Sequence, residues 1–301
     1  MKKGWLLHDK LTCIPGTKTF WHDLLEWIPG LEDKTNNGEL GDLPDFYNKQ
    51  QDNCDYIIRN ATYWPWIETG KPTISILQDI RSEPELRRMQ IEVCNKSDIV
   101  VAVSNYVAEK YQQHINNKIK VIPIGVDYDL FKPNKKPPVD VLPNSILWIG
   151  DVNAYPKGFD LLSEIIQKTD YNFCVVLKSN KIIEHPRVRS FSRVDHTKLV
   201  NIMQQCEIAL VTSVDETLHL ASLEAAACNL PVITSNVGAY YNWRGNNSWG
   251  TIVDRVIDQY ISAIECMKEE ISDYSPRACL EPYFSTGAVK QKWQQVVSSL
   301  T

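Results

Sequence analysis

"EIALVTSVDETLHLASLEAAACNLPVITS", residues 207 to 235, runs from a β-branched apolar segment through a short polar turn into a helical stretch and out into a second β-branched run. Strand, helix and strand in that order is the unit of a parallel sheet, because parallel neighbours need a crossover between them. The same alternation continues on both sides. In the second half the expected strands are "SILWIG" (145–150), "NFCVVLK" (172–178), "EIALVTS" (207–213), "PVITS" (231–235) and "GTIV" (250–253), with helices near 158–168, 196–206 and 218–228 and another from about 254. In the first half they are "GWLLHD" (4–9), "DYIIRN" (55–60), "TISILQD" (73–79), "DIVVAVS" (98–104) and "KVIPIG" (120–125). A helix is expected over 17–28, where Phe20, Leu24, Trp27 and Ile28 fall at three-and-four spacing.

Between the halves lies "KPNKKPPVDVLPN" (132–144), whose four prolines exclude a helix or a central strand. It reads as a hinge. The expected fold class is therefore α/β, two Rossmann-like, doubly wound halves facing each other across a cleft. Ligands of such sheets bind beyond the carboxyl ends of the strands.

The totals agree with this. A chain of 301 residues is long enough for two domains, and 43% hydrophobic with 23% charged residues describes a globular chain rather than a disordered one. No run approaches the roughly 20 apolar residues that span a bilayer, so no transmembrane segment is expected. His8, Asp9 and Lys10 interrupt the opening apolar run before it could form a signal-peptide core, which points to the cytoplasm. The eight cysteines are scattered with no CxxC pair, so thiols are expected and no metal site. The N-x-S/T triplets at Asn60 and Asn246 are then idle. A net charge of -5 gives no general drive toward polyanions. One local patch, Lys178, Lys181, Arg187, Arg189, Arg193 and Lys198, is either a solvated face or a polyanion contact.

Three stretches carry chemistry. A helix expected to begin near Thr217 or Leu218 would leave the amides of Leu218, His219 and Leu220 unpartnered, a place for a phosphate. Glu216 precedes that helix and Glu224 lies two turns in. Each is either an ordinary solvated acid or a ligand group, Glu224 being able to accept both hydroxyls of a ribose diol. "GDVNAYPKGFDLL" (150–162) puts Lys157 after a strand end, where it is either solvated or neutralises a diphosphate. In "ATYWPWIETG" (61–70), Tyr63, Trp64 and Trp66 are either core or a stacking platform for a ring-shaped acceptor.

Together, "KIKVIPIGVDYDLFKP" (118–133), "KGFDLL" (157–162), "DETLHLASLEAAACNLPVITSNVGA" (215–239) and "YFSTGAVKQKWQQVV" (283–297) resemble the family 4 type of GT-B glycosyltransferases, retaining enzymes that use nucleotide sugars. The resemblance is good from about Asp98 onward and weak before it. It implies an acceptor-side domain over 1–133, a nucleotide-sugar domain over 144–283, and a last helix, 284–301, that crosses back to the first domain. By the same resemblance Glu224 holds the ribose, Lys157 the phosphates and the amides from Thr217 through Leu218 and His219 to Leu220 the distal phosphate, while Glu216 touches the transferring sugar. The glycine-rich loop after the first strand is reduced to "PGTKT" (15–19), with Gly16 on the donor side. The family's histidine at the end of "TISILQD" is Gln78 here, which can bond a sugar hydroxyl but cannot act as a base.

Two further departures touch the phosphates. Where the family has Gly-Arg, Gly150 is followed by Asp151, so Lys18 or Arg193 is the replacement cation. Where it has Gly-Phe-Gly, this chain has Thr217, Leu218 and His219.

The implied reaction is retaining transfer from a nucleoside-diphosphate sugar, a UDP-sugar being the expected donor, to a hydroxyl of a glycan or small glycoside. Helix amides and Lys157 would stabilise the leaving diphosphate without a metal or another cofactor. A hydroxylated base in nucleic acid as acceptor, and a catalytically silent module that binds nucleotide or glycan, are the alternatives.

Overall fold

The computed structural model describes residues 2–7, 15–34, 53–62, 66–133 and 139–300, without the side chains of 15–19. The chain divides into two compact units, Met1–Gly125 with Gly287–Thr301, and Val126–Thr286. Among the described residues no helix is long and apolar enough to cross a membrane.

The first unit holds a six-stranded, all-parallel sheet made of β1 (Gly4–Leu7), β2 (Leu31–Asp33), β3 (Tyr56–Asn60), β4 (Thr73–Leu77), β5 (Ile99–Ala102) and β6 (Lys120–Val121), in the order β2-β1-β3-β4-β5-β6. Helices α1 (Pro15–Trp27), α2 (Pro84–Lys96) and α3 (Asn105–Gln112) lie in the same unit. The spacing read in α1 is its packing face, since Phe20, Leu24, Trp27 and Ile28 are all buried against Leu6, Ile58 and Ile76 of the sheet. The C-terminal helix Thr286–Ser298 adds Val289, Trp293 and Val296 to the same core, with Trp293 6.1 Å from Phe20. Trp5, Leu7 and Ile57 pack on the opposite face with Cys54.

Two expectations change here. "PGTKT" is no loop, because α1 already begins at Pro15, the first-turn position where a missing N–H costs nothing. The strand expected over 120–125 pairs only at Lys120 and Val121, while β2 was not anticipated at all.

The second unit holds β7 (Ser145–Gly150), β8 (Phe173–Leu177), β9 (Val188–Ser192), β10 (Cys206–Val211), β11 (Val232–Thr234) and β12 (Gly250–Ile252), again all parallel. Their order, β12-β11-β10-β7-β8-β9, sends the chain one way from β7 and then the other way from β10. The gap between the carboxyl ends of β7 and β10 is thus the switch point where doubly wound sheets bind ligands. The helices of this unit are α4 (Phe159–Lys168), α5 (His196–Met203), α6 (Leu220–Ala227), α7 (Ile257–Glu269) and α8 (Pro276–Phe284). Strand β9 lies inside the basic stretch 178–198, whose short, mixed run Val188–Ser192 carried no clear strand signal.

Candidate functional site at the β7–β10 switch point

Lys157 ends a single 3-10 turn, Tyr155–Lys157, after β7. Gly158 follows with φ +67, and a Cβ there would stand 2.0 Å from the Thr212 carbonyl oxygen, so the close approach of this loop to β10 requires glycine. The loop is stitched down. The Thr212 hydroxyl reaches the carbonyls of Lys157 (3.0 Å) and Gly158 (2.8 Å), and accepts from the Trp148 indole (2.9 Å). The Val214 amide donates to the Pro156 carbonyl. Arg255 bonds the Thr212 carbonyl at 3.0 Å and Asp160 at 2.7 Å. This framework fixes the Lys157 backbone and leaves its side chain free to reach across to β10.

What it reaches is Glu216. Nζ of Lys157 stands 2.5 Å from Oε1, and the Ser213 hydroxyl donates to the same oxygen at 2.9 Å. The Glu216 side chain is only 10% exposed. Burial acts to raise its pKa, but the facing His219, the Lys157 ammonium and the Ser213 hydroxyl outweigh it and hold the carboxyl below its ordinary value.

Helix α6 starts two residues later than the sequence suggests. His219 is its N-cap, in the left-handed region at φ 60, and its carbonyl accepts from the amide (3.1 Å) and hydroxyl (2.8 Å) of Ser222. The first-turn amides are therefore those of Leu220 and Ala221. Leu218 is buried, and its carbonyl accepts from the Ala239 amide. The imidazole of His219 is 6% exposed, with Nε2 3.9 Å from Glu216 Oε1. Burial above all drives its pKa down to about 4, so the ring is neutral at pH 7.

Glu224, one face along α6, is half-buried, and its carboxylate makes no hydrogen bond or ion pair with the described residues. Burial pushes its pKa up to about 7. An exposed helix acid would show none of this.

The remaining predicted residues are placed elsewhere. Arg193, exposed after β9 at φ 47, is two strands from β7, roughly 10 Å at strand spacing. The cation that does stand against the Lys157 loop is Arg255, whose Nη2 lies 3.0 Å from the Cβ position of Gly158. Sequence reasoning missed it, together with Thr212 and Ser213; their one signal was being polar residues just past the ends of β12 and β10. Gly16 lies in the first turn of α1, and the side chain of Lys18 lies outside the described residues. So do Tyr63 and Trp64. Trp66 is described: its indole bonds Glu68 at 3.2 Å and its ring faces the Arg59 guanidinium at 6.0 Å.

Gln78 follows β4, with a buried Nε2 that finds no partner among the described residues. Its neighbour Asp79 is held by Thr62 (2.8 Å), Gln90 (2.7 Å) and Arg81 (2.5 Å).

Residues 143–269, which carry Lys157, Glu216 and Glu224, match the family described as Glycosyl transferases group 1. This part of the chain is a group 1 glycosyltransferase domain. One component of the human phosphatidylinositol N-acetylglucosaminyltransferase is 29% identical to the chain over 177 residues, 53% of this chain and 36% of that protein. The D-inositol 3-phosphate glycosyltransferase of Corynebacterium urealyticum is 21% identical over 81% of this chain and 66% of its own. The chain thus spans about a third of the human relative's length. Among solved structures, a sucrose-phosphate synthase from Thermosynechococcus elongatus aligns over 99% of both chains with a TM-score of 0.76 at 15% identity. HepE from Anabaena, solved with UDP and glucose, aligns over 99% of this chain and 100% of its own with a TM-score of 0.71 at 18% identity. The group 1 domain and the unit before it together have the GT-B fold.

Proposed function

We propose that the protein is a retaining glycosyltransferase that moves a sugar from a UDP-sugar to a hydroxyl acceptor, a glycan or small glycoside, without a metal ion. One observation carries this reading. At the switch point of the second sheet, a cation, a buried carboxylate and a helix N-terminus come from two different strand ends, and a second carboxylate without a partner follows in the helix.

A diphosphate fits the Lys157 ammonium and the amides of Leu220 and Ala221, which together stabilise the charge of the leaving group as a metal would elsewhere. Arg255 replaces the missing arginine by fixing the loop rather than by touching phosphate. Glu224, raised to about 7 by burial, gains two hydroxyl donors when a ribose diol arrives. Glu216 faces the transferring sugar. With no second carboxylate assigned as a nucleophile beside the anomeric carbon, attack comes from the acceptor on the face the diphosphate leaves, its proton passing to the departing phosphate. HepE, whose solved complexes contain UDP and UDP-glucose, supports the choice of nucleotide.

We assign the acceptor to residues 1–133, where Gln78 has an unpartnered amide to offer a sugar hydroxyl and Trp66 has an aromatic face. The nucleic-acid alternative is weakened, because the basic stretch is engaged locally. Arg187 pairs with Asp170, Arg189 with Asp140, Lys181 with Asn153, and Lys198 lies over Phe191. Buried thiols at Cys54, Cys94, Cys174 and Cys228 support the cytoplasm as compartment.

The test is a panel of nucleotide sugars with EDTA present, read by mass spectrometry for released nucleoside diphosphate and for transfer to glycan and glycoside acceptors. Release of UDP with the α- or β-configuration preserved in the product supports the reading. UDP binding without turnover of any donor points instead to the silent module, and no nucleotide binding at all rejects the site.

A further inference from the structure

We propose that His219 is a positioning residue that takes over the Glu216 carboxylate when a donor diphosphate draws Lys157 away from it. The inference rests on the donor reading of this site and concerns what happens to Glu216 once the lysine is needed elsewhere.

In the structure Lys157 and Ser213 both spend their bonds on one oxygen of Glu216. A lysine so placed cannot also neutralise a diphosphate at full strength. When it turns to the phosphates, Glu216 is left as a nearly buried carboxylate with a single hydroxyl donor, a costly state for an ion in a protein interior. Nε2 of His219 also faces that oxygen, at 3.9 Å.

The imidazole has the properties such an exchange needs. It is 6% exposed, its Nε2 is the nitrogen that faces Glu216, and Nδ1 has no partner among the described residues, so no bond there holds the ring back. Its ring adjoins a cavity of about 10 Å³ lined by Leu147, Ile149 and Leu210 as well as by Ala209, Ala221 and Ala225. A shift of roughly 1 Å would bring Nε2 to hydrogen-bond distance. The backbone holds φ 60, a conformation a glycine would adopt with less strain, so the side chain is kept at a conformational cost.

The exchange moves no proton. Lys157 carries its ammonium from carboxylate to diphosphate, and neutral His219 donates Nε2–H to Glu216 while Nδ1 keeps its lone pair. The charged groups that face the ring are Glu216 on its own loop and Lys157 on the loop after β7.

The test combines imidazole ¹⁵N NMR with kinetics. On adding UDP to the full chain, the His219 Nε2 signal should move to that of a hydrogen-bonded N–H donor. Lys157→Ala should produce the same shift with no nucleotide present. His219→Gly should fold with an unchanged or higher Tm and keep KM for the donor within about twofold, yet lose roughly tenfold in kcat, the loss of one hydrogen bond to a charged group. His219→Asn, which tolerates the same backbone and can still donate, should recover part of that loss.

An unmoved Nε2 signal in both the UDP titration and Lys157→Ala would overturn the inference, as would a glycine variant with wild-type kcat. Because the Lys157→Ala arm uses no nucleotide, failure of the donor reading and failure of the His219 exchange give different results.

Discussion

The carboxyl ends of β4 in the first unit and β10 in the second both present an acid beside other polar residues, and they treat it in opposite ways. Asp79 is saturated: Thr62, Gln90 and Arg81 occupy both its oxygens, and Gln90 is bonded in turn by the Tyr111 hydroxyl. After β10, among the described residues, Glu216 has donors on one oxygen, Glu224 has none, and His219 has an orphaned nitrogen. Buried polar groups are normally satisfied, so the saturated acid reads as scaffold, and the unsatisfied set fits the donor site proposed above. In the first unit the Gln78 amide is nonetheless orphaned beside that completed network, as is the Trp293 indole in the core, among the described residues.

Substitutions can break this contrast. Lys157→Ala should have the largest effect, weakening UDP binding about 100-fold in calorimetry, as expected for a charge-assisted bond to phosphate. Asp79→Asn should cost about 1–3 kcal/mol of stability, seen as a lower denaturation midpoint, and leave the UDP affinity unchanged. If it weakens UDP instead, the two strand ends are not scaffold and site.

Glu224→Gln sharpens the comparison through pH. A carboxyl with its pKa raised to about 7 in the folded chain, against 4.5 for its ordinary value, keeps its proton longer when folded. Folding stability from this group is therefore full below about pH 4.5, falls as pH rises to about 7 and levels off above. The glutamine variant should accordingly gain about 1–3 kcal/mol at pH 8 and little at pH 4. It should bind UDP about tenfold more weakly, having lost the charge that strengthens the diol bonds. The smallest effect belongs to Trp66→Ala, which should leave donor binding untouched and change only KM for the acceptor.

The sequence carried the alternation of strands and helices well, because each β-branched run and each three-and-four spacing is set by neighbours a few residues apart. The helical start at Leu220 was misplaced by two residues, since the left-handed turn at His219 is unusual for a side chain and has no local signature. Strands β2 and β9 were missed for a related reason. "LED" and "VRSFS" are short and polar, and their pairing to β1 and β8 is what makes them strands.

By itself, then, the sequence determined the α/β class, because runs and spacings are local, and the family resemblance singled out Lys157, Glu216 and Glu224; the boundary between the units falls at Gly125 and Val126 rather than in the proline-rich stretch 132–144. Only the tertiary structure decided which groups share a bond. Lys157 and Glu216 are 59 residues apart, and Arg255 reaches Thr212 across 43. Such pairings follow from the order in which strands are laid beside one another, whereas His219 stands 3.9 Å from Glu216 because the two lie three residues apart in one left-handed turn.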